Sequence, residues 1–153
     1  EIVMTTLQRQ ATPLLRYRTR DLSHLVGGHC PCGRGHRRLA RIRGRSDDML
    51  IVNGVNVFPS QVEDVLMKVP EVGTNYLIQL EKRGSLDRLV VKTEIYPKLF
   101  TGDPQTLDDL RERIGELLRS AILVKPAVEL HEPGSLPVSE GKAKRVVDLR
   151  PAF

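Results

Sequence analysis

Between Asp48 and Glu132 the chain alternates strand-like and helix-like runs, and this alternation limits the possible fold more than any other feature. "DMLIV" is a compact apolar run of strand type. In "VFPSQVEDVLMKV", Val62, Val65, Leu66 and Val69 recur at helical spacing and form one apolar face, with Pro59 and Ser60 near the helix start. Between these runs, "NGVN" carries the strongest hairpin signal in the sequence. "TNYLIQLEK" and "DRLVVKTEIY" then read as two strands joined by the turn "RGSLD". A second helix is expected from about Pro104 to Val124, with Leu107, Leu110, Ile114, Leu117, Leu118 and Ile122 as its buried stripe. "AVELHE" supplies a last strand. The order strand, helix, strand, strand, helix, strand predicts an α+β fold, a ferredoxin-like split βαβ sheet with two helices on one face. That fold serves many functions, so the residues must decide.

Upstream of about Gly44 the texture differs. "EIVMTTL", "TPLLRYRTRDL" and "LARIRGR" are short Arg-rich β-like runs around the loop "VGGHCPCGRGH", and they bury little on their own. A length of 153 residues allows one domain, or one domain with a smaller attached piece. The chain opens at Glu1 directly in strand-like sequence with no signal-peptide pattern, so it reads as a piece of a longer polypeptide. No apolar run is long enough to cross a membrane. The net charge of +5 suits an anionic partner, but the basic residues are dispersed, and three Phe, three Tyr and no Trp leave little to stack bases, which argues against nucleic acid. The only two cysteines, Cys30 and Cys32, are too close to staple a fold, and a reducing cytoplasm is the expected setting.

Four clusters carry possible chemistry. Asp21 lies in "RYRTRDLS", where a carboxylate among arginines is either a surface ion pair or a clamp for two ribose hydroxyls. Asp47 and Asp48 are solvated linker residues or a hinge, and Gly54 is a turn glycine or a place where a thin ligand passes close to the backbone. "HCPCGRGH" holds His29, Cys30, Cys32 and His36. A reduced pair capping a loop is the simpler reading, and the alternative is a structural Zn²⁺ with Cys30, Cys32 and His36 as first ligands. Finally, "PVSEGKAKRVVDLR" is a solvated basic ending, or it delivers one catalytic lysine.

"YRTRDL", "GRSDDMLIVNGVNVFPSQVE" and "SEGKAKRV", in this order and at these distances, resemble the C-terminal end of the adenylate-forming enzymes, such as acyl-CoA synthetases and luciferases. "RYRTRDL", "CPCGR" and the long middle motif bring the resemblance closest to the phenylacetate-CoA ligases. It implies that Asp21 binds the ribose hydroxyls of ATP and that Arg45 lies near its ribose and phosphate. It further implies that Asp47 is the hinge of a mobile lid, and that Gly54, with neighbouring Asn53, lies beside the pantetheine arm of CoA. Lys142 then reaches the acyl carboxylate and ATP during adenylation, and Lys144 is solvated. Arg20 stands where the general motif has Gly.

On this resemblance, residues 1–46 are terminal β strands of a large N-terminal domain and residues 47–153 are the C-terminal mobile lid. The substrates would be an aryl carboxylate such as phenylacetate, ATP and CoA, with Mg²⁺ as phosphate counter-ion. The phosphate loop, the acid pocket and most adenine contacts belong to the N-terminal domain of the same polypeptide, so the fragment is expected to be inactive alone. Exposed strand edges would allow pairing of two copies as a homodimer. The rival reading is a free-standing, non-catalytic ferredoxin-like binding or regulatory module.

Overall fold

A computed structural model describes residues 1–99, 104–137 and 145–151. The chain forms two compact units, Glu1–Met49 and Leu50–Phe153.

The first unit consists of three antiparallel pairs of two-residue strands: β1 (Val3–Met4) with β2 (Tyr17–Arg18), β3 (Asp21–Leu22) with β6 (Gly44–Arg45), and β4 (Leu25–Val26) with β5 (Arg38–Leu39). As expected from such short runs, Leu7 and Leu15 are 92% and 80% exposed, and every buried hydrophobic among the described residues belongs to the second unit. Backbone bonds such as Ile2 N–H to Asp21 O (2.8 Å) and Arg43 N–H to Leu22 O (2.9 Å) extend the pairing beyond the strands proper.

The second unit begins with the hairpin β7 (Leu50–Val52) and β8 (Val55–Val57). Helix α1 (Pro59–Leu66) follows, started by a proline whose missing N–H would have been an orphan in the first turn. The Gln61 side chain accepts from the Phe58 N–H (3.1 Å), satisfying the donor at the helix entrance. Strands β9 (Val72–Arg83) and β10 (Leu86–Ile95) form a long antiparallel hairpin, α2 (Pro104–Ile122) crosses over, and β11 (Ala127–His131) lies parallel to β10. Strand β12 (Val146–Asp148) lies parallel to β9, so the sheet runs β11-β10-β9-β12.

The α+β class and the alternation of elements match the sequence expectation, with one difference. The first strand, β7, does not enter the four-stranded sheet. Asn53 and Gly54, at φ of 48° and 83°, fold it straight back onto β8 after three residues. Two positive-φ residues in a two-residue loop twist the strands as a tight hairpin requires. The place β7 would take in a split βαβ sheet, between β10 and β11, is closed because those two strands pair directly.

The core lies between the helices and one face of this sheet. Val62 and Leu66 of α1, Leu110, Ile114, Leu118 and Ile122 of α2, and Ile78, Leu80 and Val91 of the sheet are all buried, with Val52 and Val57 closing the end near the small hairpin. Leu117 departs from the expected stripe and is 45% exposed. On a 3.6-residue period it projects roughly 80° from the middle of the buried face. The helix is turned instead toward Gly115, where a Cβ would sit 3.9 Å from Val128 Cγ2 of β11.

Candidate functional site

In the first unit, the β3–β6 register sets Asp21 directly opposite Arg45. The Arg45 guanidinium grips Asp47 with both arms, Nε to Oδ1 at 3.0 Å and Nη2 to Oδ2 at 2.9 Å, and Nη1 reaches Asp21 Oδ1 at 3.4 Å. A further contact runs from Nε to Asp48 Oδ2 at 3.8 Å. Residues singled out from two separate motifs therefore meet around one cation. The Arg45 hydrogen bond holds the Asp47 carboxyl below the usual carboxylate range, and Asp47 in return raises Arg45. Only the planar fork of arginine can hold one carboxylate with two parallel bonds and still turn an N–H toward a second. The pairs are partly exposed, so solvent screens them and an anionic ligand can compete for the same cation.

Arg20, where the related motif has glycine, is in the left-handed region at φ 69°. A non-glycine residue costs about 1–2 kcal/mol there. It is fixed from both sides, its N–H donating to Glu1 Oε1 at 3.1 Å and its carbonyl accepting from Ser46 N–H at 2.7 Å. The backbone path of a glycine is therefore kept with an arginine in place, and Asp21 N–H is held by Thr19 Oγ1 at 3.2 Å.

In the second unit, Asn53 and Gly54 form the tip of the β7–β8 hairpin. A Cβ built on Gly54 meets nothing within 4 Å, so its backbone faces open space. Asn53 does not share that freedom: its Nδ2 donates to Asp87 O and its Oδ1 accepts from Asp87 N–H, both at 2.8 Å. Arg150 joins this group, with Nη1 donating to Asp87 Oδ2 and to Ile51 O at 3.0 Å each. Asp87 and Arg150 were not legible as site residues, because their partners lie 34 to 99 positions away in sequence.

Lys142 and its neighbour Lys144 lie outside the described residues. The chain on either side is held to the sheet. Before it, Leu136 N–H donates to Glu94 Oε1 at 3.0 Å, and Asn75 Nδ2 donates to the same oxygen at 2.9 Å. Burial pushes the Glu94 carboxyl up, but the backbone N–H groups of Gly134 and Leu136 and the Asn75 amide outweigh it and keep the group below its ordinary value. After it, Arg145 O accepts from Ile78 N–H at 2.8 Å, and the Arg145 guanidinium pairs with Glu63 while lying 4.4 Å over the Tyr76 ring.

The cysteine loop holds the residues for which a reduced pair is the simpler reading and zinc the alternative. Cys30 and Cys32 are free thiols with sulfurs 2.8 Å apart, while His36 is exposed, and no group of three or more His, Cys, Asp or Glu among the described residues is arranged to hold a metal ion. The turn from Cys30 O to Gly33 N–H (2.9 Å) brings the two sulfurs together without a third donor. The Cys30 thiol and then the Arg34 backbone N–H lower the Cys32 thiol below its usual value. Cys32, the more exposed of the two, is therefore expected to react with iodoacetamide before Cys30 near neutral pH. Tandem mass spectrometry of the shared peptide checks this, and equal labelling would count against it.

No helix among the described residues is long and apolar enough to cross a membrane. The AMP-binding enzyme C-terminal domain family matches residues 54–150. The phenylacetate-coenzyme A ligase of Aromatoleum evansii is 45% identical over 99% of this chain, which spans 34% of that relative's length. A solved domain of phenylacetate-coenzyme A ligase from Bacteroides vulgatus ATCC 8482 superimposes with a TM-score of 0.63 at 44% identity, over 70% of this chain and 97% of its own. A 2-hydroxyisobutyryl-CoA ligase, solved in the postadenylation state with R3-HIB-AMP, gives 0.84 at 29% identity, over 95% of this chain and 31% of its own. The chain thus covers about a third of the curated relative it matches, and it belongs to the family of AMP-binding enzyme C-terminal domains.

Proposed function

We propose that this chain is the C-terminal portion of an ATP-dependent acid–thiol ligase that acts on phenylacetate or a similar aryl carboxylate. The observation that carries the reading is the high identity with a phenylacetate-coenzyme A ligase across nearly the whole chain. A relative solved with an acyl-adenylate supports the intermediate.

In the first half-reaction a carboxylate oxygen of the acid attacks the α-phosphorus of ATP, and pyrophosphate leaves. Asp21 would accept the two ribose hydroxyls, since a carboxylate is the side chain that takes two such bonds at once. Arg45, already beside Asp21, would lie against ribose and phosphate, exchanging its Asp47 contacts for the anion. Lys142 would place an ammonium between two reacting anions, where it stabilises the transition state more than either reactant. Mg²⁺ enters as the counter-ion of the triphosphate. In the second half-reaction the CoA sulfur attacks the acyl carbonyl and AMP leaves, with the Asn53–Gly54 turn beside the pantetheine arm. Residues 47–153 would turn about Asp47 between the two steps, and residues 1–46 would stay with the rest of the enzyme. Two free cysteines suit a reducing cytoplasm.

Asp47→Pro in the full-length protein tests the rotation. Proline fixes φ near −65°, so the variant is expected to form acyl-adenylate but to pass it to CoA at least about tenfold more slowly. Asp47→Ala, which loses the Arg45 fork but keeps the backbone free, is expected to show much less of that defect. Pyrophosphate exchange and thioester formation, measured separately, distinguish the two, and normal rates for both steps in the proline variant would remove the hinge.

A further inference from the structure

The small hairpin that ends in Gly54 is not bonded into the main sheet, so something else must hold its tip. Val57 at its base and Val52 beside the turn are both fully buried. Beyond Val52, the turn residue Asn53 is held by polar contacts. Asn53 and Asp87 exchange two 2.8 Å bonds in the manner of a short strand pairing, and Asn53 N–H also points at Asp87 Oδ2 at 3.3 Å. Asp87 is in turn fixed by Arg150, whose guanidinium meets three segments at once. It binds Asp148 through Nε and Nη2 at 3.0 and 2.8 Å, and Asp87 Oδ2 and Ile51 O through Nη1 at 3.0 Å each.

The Ile51 carbonyl is available because of register. With Val52 facing Val55 across the two-residue turn, the next pair, Ile51 and Asn56, is of the non-hydrogen-bonded kind, and its backbone groups point away from the partner strand. The side chains of Asp87 and Arg150 are 16% and 25% exposed, enough shielding to hold the pair in one geometry. Lysine could not replace this arrangement, since one compact ammonium cannot bond Asp148 bidentately and also reach Asp87 and Ile51.

We infer that Arg150, acting through Asp87 and Ile51, is a positioning residue for the Asn53–Gly54 turn, and hence for the thiol-dependent half of the reaction. This rests on the proposal that the turn lies beside the CoA arm. The pair lies outside the apolar core, so its removal loosens the tip and leaves the fold standing.

The test uses the full-length protein with Arg150→Ala, Arg150→Lys and Asp87→Asn, and measures the two half-reactions separately. In Arg150→Ala the KM for CoA is expected to rise about tenfold, as for loss of charge-assisted bonds that position a ligand contact, while the rate of pyrophosphate exchange stays within about twofold. Arg150→Lys should recover part of the loss. Asp87→Asn keeps the size and the backbone bonds to the Asn53 amide and weakens the side-chain link to Arg150 and the longer one to Asn53 N–H, so it should give a smaller rise and guards against a fold defect in the alanine variant. Equal losses in both half-reactions, or an unchanged KM for CoA in all three variants, overturn the inference. Gly54→Ala separates the two levels. If that variant impairs the thiol step and the Arg150 variants do not, the brace is wrong; if Gly54→Ala also leaves CoA use intact, the placement of the turn is wrong and the inference falls with it.

Discussion

Replacing Lys142 with alanine in the full-length protein is expected to lower acyl-adenylate formation by about a hundred- to a thousandfold, the loss typical of removing one preorganised charge-stabilising donor. Thioester formation from supplied acyl-adenylate should stay within about twofold, because no new bond to phosphorus forms in that step. The motivation is the Gly141-Lys142 pair within "SEGKAKRV", where a compact ammonium on a long stem follows a residue of high backbone freedom. Lys144→Ala serves as the control and should behave nearly as the parent. Pyrophosphate exchange and single-turnover thioester formation provide the two measurements. If Lys142→Ala loses both half-reactions equally, the lysine is not specific to adenylation.

The second large effect is expected at Gly54. Its φ of 83° means that alanine there costs about 1–2 kcal/mol of turn strain, a loss that denaturant unfolding of this chain would read directly. Within the chain the added methyl has nothing to strike, since no atom comes within 4 Å of it. Any further penalty must come from a ligand. In the full-length protein, Gly54→Ala is expected to lower kcat/KM for CoA by about a hundredfold while adenylation keeps its rate, a loss beyond what the turn strain alone would supply. Equal effects on the two half-reactions would reduce Gly54 to a turn residue.

Elements set by local sequence were legible, and those set by distant partners were not. The spacing of Val62, Leu66 and Val69 marked α1, the stripe from Leu107 to Ile122 marked α2, and Asn53-Gly54 marked a hairpin, because periodicity and turn preference act within a few residues. That hairpin's independence of the sheet was not visible, since its place beside β10 is filled by Ala127–His131, far along the chain. The face of α2 was misjudged only at Leu117. There the approach of Gly115 to Val128, a contact between elements, decides which way the helix turns.

The site residues divide in the same way. Asp21, Arg45 and Asp47 could be named from their motifs, but only the β3–β6 register reveals that Arg45 stands between the two carboxylates. Asn53 was named as a CoA neighbour, and its amide turns out to be occupied with Asp87. Two cysteines and a histidine within one loop left zinc open as the alternative to a reduced pair. The spacing gave no sign that the turn at Cys30–Gly33 would pair the thiols and leave His36 exposed.

The parallel pairing of β12 with β9 also bears on how the polypeptide is made. Strand β9 ends at Arg83, and the strand that covers its outer side begins at Val146, so during synthesis the long β9–β10 hairpin emerges from the ribosome with that side bare. An uncovered strand of this length is a template for pairing with other chains. The covering strand is three residues long, and Arg150 follows two residues after its end. A nascent chain that stalls, or is clipped, before that point would lose the cover of β9 and the brace of the Gly54 turn together, so aggregation and loss of CoA use would arise from the same truncation.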